Sequence, residues 1–343
     1  MIRIEKAKIF LETIGWGDAV LEPLPGDASF RAYARVKRQD QTAMLMDAPP
    51  PHEDVRPFAA IDLYLRDQGL RAPSIYGHDT DSGFLLLEDF GDTRFSTALE
   101  DDPKVEDSLY ENALAVLIHL SHIQPNHHLP AIQGEYDVPL YNAHILEQEA
   151  DFLFEWAYPA LIGPYDQSLH DQYRDLWRPH FEFLESRLVM EPCLVLRDYH
   201  VDNLMVLGDG HGLDGIGLLD FQDALIGDKA YDLVSLLQDA RRDVPPALEA
   251  RLINVFVEKA GIEDVDAFKR AYALLGAHRS LRIVGIFIRL WKRDGKPRYL
   301  EHLPRLWRYV ERNLEHPALG DIKAWYDVAI PEAARHKGPE DLL

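Results

Sequence analysis

Asp198, Asn203 and Asp220 are the residues whose types and spacing most directly encode chemistry. Two short apolar runs, Leu204 to Leu207 and Ile216 to Leu219, flank a Gly/Asp-rich segment at 208–215. That pattern predicts an antiparallel hairpin with a longer loop. Asn203 then stands just before the first strand and Asp220 just after the second, so both fall at the open end of the hairpin. Asp198 lies a short loop upstream and can turn its carboxylate to the same point. Three converging oxygen donors, with no Cys and few His among them, suit Mg²⁺ rather than zinc.

An Asp, an Asn five residues later and an Asp-Phe after a hairpin follow the order that protein kinases use for phosphoryl transfer: base, second metal ligand, principal metal ligand. Leu196-Arg197-Asp198 stands where kinases have His-Arg-Asp, and Asp220-Phe221-Gln222-Asp223 where they have Asp-Phe-Gly. With the helix start Gly227-Asp228-Lys229-Ala230-Tyr231-Asp232-Leu233, the stretch resembles the aminoglycoside phosphotransferase-like kinases. Further phrases, Leu24 to Arg31, Met46 to Pro50, Leu219 to Ala224 and Ser235 to Asp243, resemble the branch of that family acting on N-acetylmuramate and N-acetylglucosamine in bacterial cell-wall recycling.

The resemblance implies a kinase with ATP and Mg²⁺, transferring the γ-phosphate to the anomeric hydroxyl of such a sugar. On that reading Asp198 is the catalytic carboxylate, and Asn203 and Asp220 hold the metal. Gly26, Asp27, Ser29, Arg31, Arg35, Glu88 and Phe90 line the nucleotide. Arg197, His200, Asp223, Arg279 and Arg282 contact the acceptor. Two departures stand out. Leu196 replaces the first His of the catalytic loop, and the third strand ends in Met46-Asp47 where kinases place an ATP-binding lysine. Arg31 and Arg35 share a parity on the preceding strand, so both can face the nucleotide in its stead.

The elements that must position these residues are legible from periodicity. Ile4 to Ile14 has helical spacing. Leu21–Leu24, Phe30–Val36 and Ala43–Met46 then alternate with period two, and the small-residue turn 26–29 can bring backbone N–H groups close to a phosphate. Val55 to Gln68 returns to helical spacing before two more strands, Pro73–Gly77 and Phe84–Leu87. Glu88 to Gly91 follows, either as a hinge that meets an adenine or as an exposed acidic turn. From Gly91 onward the pattern is helical apart from the hairpin, with helices expected at Val105–His119, Tyr141–Tyr158, Gln167–Leu188, Tyr231–Arg241, Leu248–Ala260, Val265–Lys292 and Pro304–Leu314. The expected fold class is α+β, a bilobal protein-kinase-like fold. A small antiparallel-sheet lobe at 1–90 binds ATP, and a large, mainly helical lobe at 91–343 carries catalysis and the acceptor.

Composition bounds the alternatives. The chain has 343 residues, 47% of them hydrophobic, enough to build two cores. A formal charge of -22 argues against a nucleic-acid partner, because a phosphate-tracking surface must be basic. ATP then needs divalent metal and a local basic patch. The single cysteine, Cys193, lies in an apolar strand run and reads as a buried small hydrophobe. No secretion signal is evident at the start and no run looks long enough to span a membrane, so a cytoplasmic protein with small-molecule partners is expected. The periodic Arg279, Arg282 and Arg289 series reads either as a patch for an acidic acceptor or as a salt-bridged surface. The histidines at 119, 122, 127 and 128 read as solvated groups rather than a metal site. Two other functions remain open: another small-molecule kinase of the same fold, acting on an aminoglycoside, choline, homoserine or a ketosamine, and a nucleotide-binding regulator that has lost transfer.

Overall fold

A computed structural model describes residues 2–25, 30–208 and 210–342. The phosphate-loop candidates Gly26, Asp27 and Ser29 therefore lie outside the described residues.

The chain opens with helix α1 (Ile4–Thr13), followed by strands β1 (Val20–Pro23), β2 (Ala32–Arg38) and β3 (Gln41–Asp47), helix α2 (Val55–Asp67), and strands β4 (Ile75–Asp79) and β5 (Phe84–Glu88). The five strands form one sheet in the order β1-β2-β3-β5-β4, and every pairing is antiparallel. Period two gives the sheet its two faces. Ala32, Ala34, Val36, Ala43, Leu45, Phe84 and Leu86 face α1 and pack on Ala7, Phe10 and Leu11. The intervening residues Tyr33, Arg35, Met44, Met46, Leu85 and Leu87, matched strand to strand by the register, line the opposite face. α2 starts at Asp54, whose carboxylate accepts the Arg56 N–H at 2.9 Å, a standard N-terminal cap.

Helices α3 (Phe95–Asp101) and α4 (Glu106–Ser121) follow, then a short hairpin of β6 (His128–Pro130) and β7 (Glu135–Asp137) that the helical pattern had hidden. Three-residue strands are too short to leave a periodic signal. The expected helix Tyr141–Tyr158 is three pieces: α5 (Ala143–Ala150), a π-turn at Leu153–Ala157 and α6 (Tyr158–Leu161). α7 (Gln167–Met190) leads to β8 (Pro192–Val195), the hairpin strands β9 (Leu204–Val206) and β10 (Ile216–Leu218), and β11 (Leu225–Asp228), which pairs antiparallel with β8.

The remainder is helical: α8 (Ala230–Leu237), α9 (Pro246–Lys259), α10 (Val265–Lys292), α11 (Leu303–Leu314), α12 (Gly320–Ala329), α13 (Glu332–Arg335) and α14 (Pro339–Leu342). α8 stops short of the expected Arg241 because the Asp239 side chain accepts the Arg241 N–H at 2.8 Å, offering the backbone a turn in place of a helix.

Packing divides the chain into two compact units. The first comprises 1–116, 126–138 and 198–224, and the second 117–125, 139–197 and 225–343. The β9–β10 hairpin belongs with the sheet because its edges are bonded to the sheet's own connections: Leu218 N–H donates to the Arg71 carbonyl and Val206 N–H to the Thr93 carbonyl, both at 2.8 Å. Phe90 packs on it so closely that a Cβ at Gly217 would lie 2.6 Å from the ring. In the second unit, α10 passes Phe152 so closely that a Cβ at Gly285 would lie 2.4 Å from the Phe152 carbonyl oxygen. α10 also corrects one expectation: by length and composition it could cross a membrane, yet 89% of that stretch is buried inside the protein, which makes it a core helix.

Candidate active site

The hairpin does what its pattern required. Leu204 pairs with Leu218, and the ladder continues one step beyond the strands, Leu219 N–H donating to the Asn203 carbonyl at 3.0 Å. Asn203 and Asp220 are thereby held at the open end. The Asn203 amide nitrogen donates to the Asp198 carbonyl at 2.9 Å, fixing the spacing between the loop aspartate and the hairpin. His200 serves the same loop from within. It is 5% exposed, its carbonyl accepts the Asn203 N–H at 2.9 Å, and its ring nitrogen lies 3.4 Å from the Asn203 amide. These contacts make His200 a brace for Asn203.

Asp220 has φ 57, a left-handed backbone uncommon for any residue but glycine and enriched at functional turns. Its Oδ1 faces two donors: the Arg31 guanidinium at 3.1 Å and the Gln222 amide at 3.0 Å. Burial pushes the Asp220 carboxyl above the usual carboxylate range; Arg31 pulls it down, the nearby Asp198 carboxylate pushes it up, and Gln222 and Asp223 act in opposite senses. Phe221 stacks on Phe58 of α2, ring centroids 4.8 Å apart, so the Asp-Phe pair is pinned to α2 on one side and presents its carboxylate on the other.

Of the two candidate cations, Arg31 is the one brought to the hairpin. It faces Asp220 at 3.1 Å and Glu53 at 3.8 Å, and Glu53 also accepts the Phe30 N–H at 3.2 Å. Arg35 shares the strand face, but it binds Asp89 at 2.6 Å and Asp92 at 2.8 Å, bracing the segment after β5. Asp47 at the end of β3 turns to the other face, where its Oδ1 accepts from the Arg3 guanidinium at 2.9 Å. In the candidate hinge the Glu88 carboxylate is taken up by Arg71 at 2.8 Å and by the Ser74 hydroxyl at 2.9 Å. The Phe90 ring lies against Gly217, with the Arg71 guanidinium 5.7 Å from its centroid.

The expected acceptor residues divide. Asp223 is exposed and receives the Gln222 amide at 3.2 Å, so it stays a candidate. Arg197, Arg279 and Arg282 all have guanidinium partners inside the second unit. Arg197 pairs with buried Glu149. Arg279 is 4% exposed and donates to the Ser235 hydroxyl at 2.8 Å. Arg282 donates to the Tyr231 hydroxyl at 2.8 Å and lies 3.4 Å from Glu149. A carboxylate as buried as Glu149 must be paired, and Arg197 and Arg282 supply the pairing. Asp232 explains the Tyr-Asp-Leu motif: its carboxylate accepts the N–H groups of Leu196 at 2.6 Å and Arg197 at 2.9 Å, holding Arg197 in its left-handed φ of 67. Glu53 and Gln222 were missed as site residues. For Gln222 a signal existed, since it occupies the position of the kinase glycine.

Among the described residues no three His, Cys, Asp or Glu side chains form a ready metal site. One carboxylate and one amide oxygen nonetheless fit Mg²⁺, which is commonly held by one or two carboxylates together with substrate phosphates. The destabilised charge on Asp220, beside Asp198, is what a divalent cation would relieve.

An N-terminal antiparallel sheet, a catalytic loop followed by a hairpin, and a mainly helical remainder define a protein-kinase-like fold, and solved structures agree. A choline/ethanolamine kinase family protein from Mesorhizobium loti superposes with a TM-score of 0.57 at 13% identity, over 98% of this chain and 100% of that one. The ternary complex of APH(2″)-IIa with streptomycin and ATP gives 0.52 at 14% identity, over 83% and 91%. Residues 20–283 match the phosphotransferase enzyme family, and the chain belongs to it. Among curated relatives it is 33% identical to the N-acetylmuramate/N-acetylglucosamine kinase of Caulobacter vibrioides over 95% of this chain and 96% of that protein. It is 35% identical to the kinase of the same name from Pseudomonas aeruginosa, over 93% and 92%.

Proposed function

We propose that this protein is an ATP- and Mg²⁺-dependent sugar kinase that phosphorylates the anomeric hydroxyl of N-acetylmuramate or N-acetylglucosamine, in the cytoplasm, where ATP is supplied. The observation that carries the reading is the similarity to kinases of that name along nearly the whole length of both chains. Asp198 accepts the proton of the anomeric hydroxyl as its oxygen bonds to the γ-phosphorus and the bond to the β-phosphate oxygen breaks, releasing ADP. An anomeric hydroxyl is more acidic than an ordinary alcohol, so one carboxylate is a sufficient base. Asp220 and the Asn203 amide oxygen would hold Mg²⁺, which supplies charge neutralisation on the phosphates. Arg31 takes the place of the missing strand lysine at the phosphates, and Asp223 faces the acceptor. With so much positioned charge, little covalent chemistry is asked of the protein.

The test gives the enzyme ATP, Mg²⁺ and, side by side, N-acetylmuramate, its methyl glycoside and a kanamycin-type amine, with products read by mass spectrometry. The free sugar alone should gain a phosphate. Equal phosphorylation of the blocked glycoside would move transfer to another hydroxyl, and activity on the amine alone would replace the sugar assignment.

A further inference from the structure

Gln222 lies between two carboxylates of the site. It is 8% exposed, and its amide nitrogen donates to Asp220 Oδ1 at 3.0 Å and to Asp223 Oδ2 at 3.2 Å. Its amide oxygen is buried with no hydrogen-bond partner. Between two carboxylates only the NH₂ end can satisfy both, because the oxygen would meet two acceptors. The chemistry of the neighbours therefore fixes the orientation of the amide. A buried unpaired oxygen is costly, and that cost is accepted here to keep the donor end on the carboxylates.

We propose that Gln222 is a positioning residue for the Asp220 carboxylate and thereby sets the affinity of the site for its divalent cation. Gln222 and Arg31 both approach Oδ1 of Asp220, which leaves Oδ2 to face a cation and fixes the rotation of the carboxylate in a turn already held at a left-handed φ. Glycine, the kinase residue at this position, has no side chain that could hold the carboxylate. The inference rests on the reading of Asp220 as the principal metal ligand. Side chains that orient a ligand in this way are typically worth about tenfold to a hundredfold in metal affinity.

The test measures Mn²⁺ binding by electron paramagnetic resonance in the presence of a non-hydrolysable ATP analogue, for wild type, Gln222→Met and Asp223→Asn. Methionine keeps the length and bulk and removes the hydrogen bonds. Gln222→Met should weaken Mn²⁺ by about tenfold or more, and Asp223→Asn should stay within about twofold of wild type. Raising Mg²⁺ should restore the turnover of Gln222→Met, which a general loss of structure would not allow. Mn²⁺ affinity in Gln222→Met equal to wild type, a turnover loss that excess Mg²⁺ does not recover, or an equal loss in Asp223→Asn would each overturn the proposal. Should Gln222→Met not fold, Gln222→Gly, the kinase residue, takes its place, and Mn²⁺ affinity equal to wild type there would overturn the proposal. Absence of nucleotide-dependent Mn²⁺ binding in wild type would instead refute the metal reading of Asp220.

Discussion

Replacing Asp62 by asparagine should stabilise the protein at neutral pH while changing little near pH 4. Asp62 lies on α2, one helical turn beyond the Phe58 that stacks on Phe221. It is fully buried, and neither carboxylate oxygen has a hydrogen-bond partner. Burial raises its carboxyl from 3.8 to about 7, Arg66 opposing and Glu88 adding slightly. Below the lower value both folded and unfolded chains carry the proton, and the side chain costs nothing in charge. As pH rises from there the unfolded chain ionises while the folded chain stays neutral, so each pH unit removes about 1.4 kcal/mol of stability. Over the roughly three units to pH 7 the loss approaches 4 kcal/mol, and it stays constant above. Asparagine keeps the shape without the ionisation. At about 2–4 °C per kcal/mol, the variant should melt on the order of 10 °C higher at pH 7.5 and close to wild type at pH 4. The assay is the thermal midpoint of both proteins across pH 4 to 8 at fixed ionic strength. A difference that stays constant across that range, or a variant less stable at pH 7.5, would refute the account of Asp62 as a carboxyl buried without compensation.

Other outcomes follow from the site and its supports. Asp198→Asn should lose about a hundredfold to ten-thousandfold in turnover with Mg-ATP binding by calorimetry nearly intact, whereas Asp220→Ala should lose the metal-dependent binding itself and Asn203→Ala should show a milder form of that defect. Arg31→Ala should raise the ATP concentration needed for half-maximal rate well above the effect of Arg35→Ala, because only Arg31 reaches Asp220; the reverse ranking in steady-state kinetics would return the phosphate role to Arg35. Asp232→Ala removes a buried charged acceptor from two backbone N–H groups and should destabilise by about 3 kcal/mol or more, seen as a lowered denaturation midpoint; an unchanged midpoint would mean that Leu196 and Arg197 find other partners.

What the sequence determined by itself is the part of the site that is local in the chain. Asp198, Asn203 and Asp220 lie on one loop and one hairpin, and two short strands joined by a Gly/Asp-rich turn can pair in few ways. Period two likewise put Arg31 and Arg35 on one face of the sheet, and helical spacing found α1, α2, α7 and α10. Periodicity says which residues share a face but not what that face meets. Only the tertiary structure decided that Arg31 reaches Asp220 while Arg35 braces Asp89 and Asp92, because that choice depends on where the sheet lies against the hairpin. The same limit explains Arg279 and Arg282, whose spacing on α10 fitted an exposed basic patch as well as a buried one until Glu149 and Ser235 were found opposite them. Gln222 shows it most plainly. Its departure from glycine was visible in the sequence, but a side chain's role as a strut is fixed by the two carboxylates it meets, and only folding places them on either side of it.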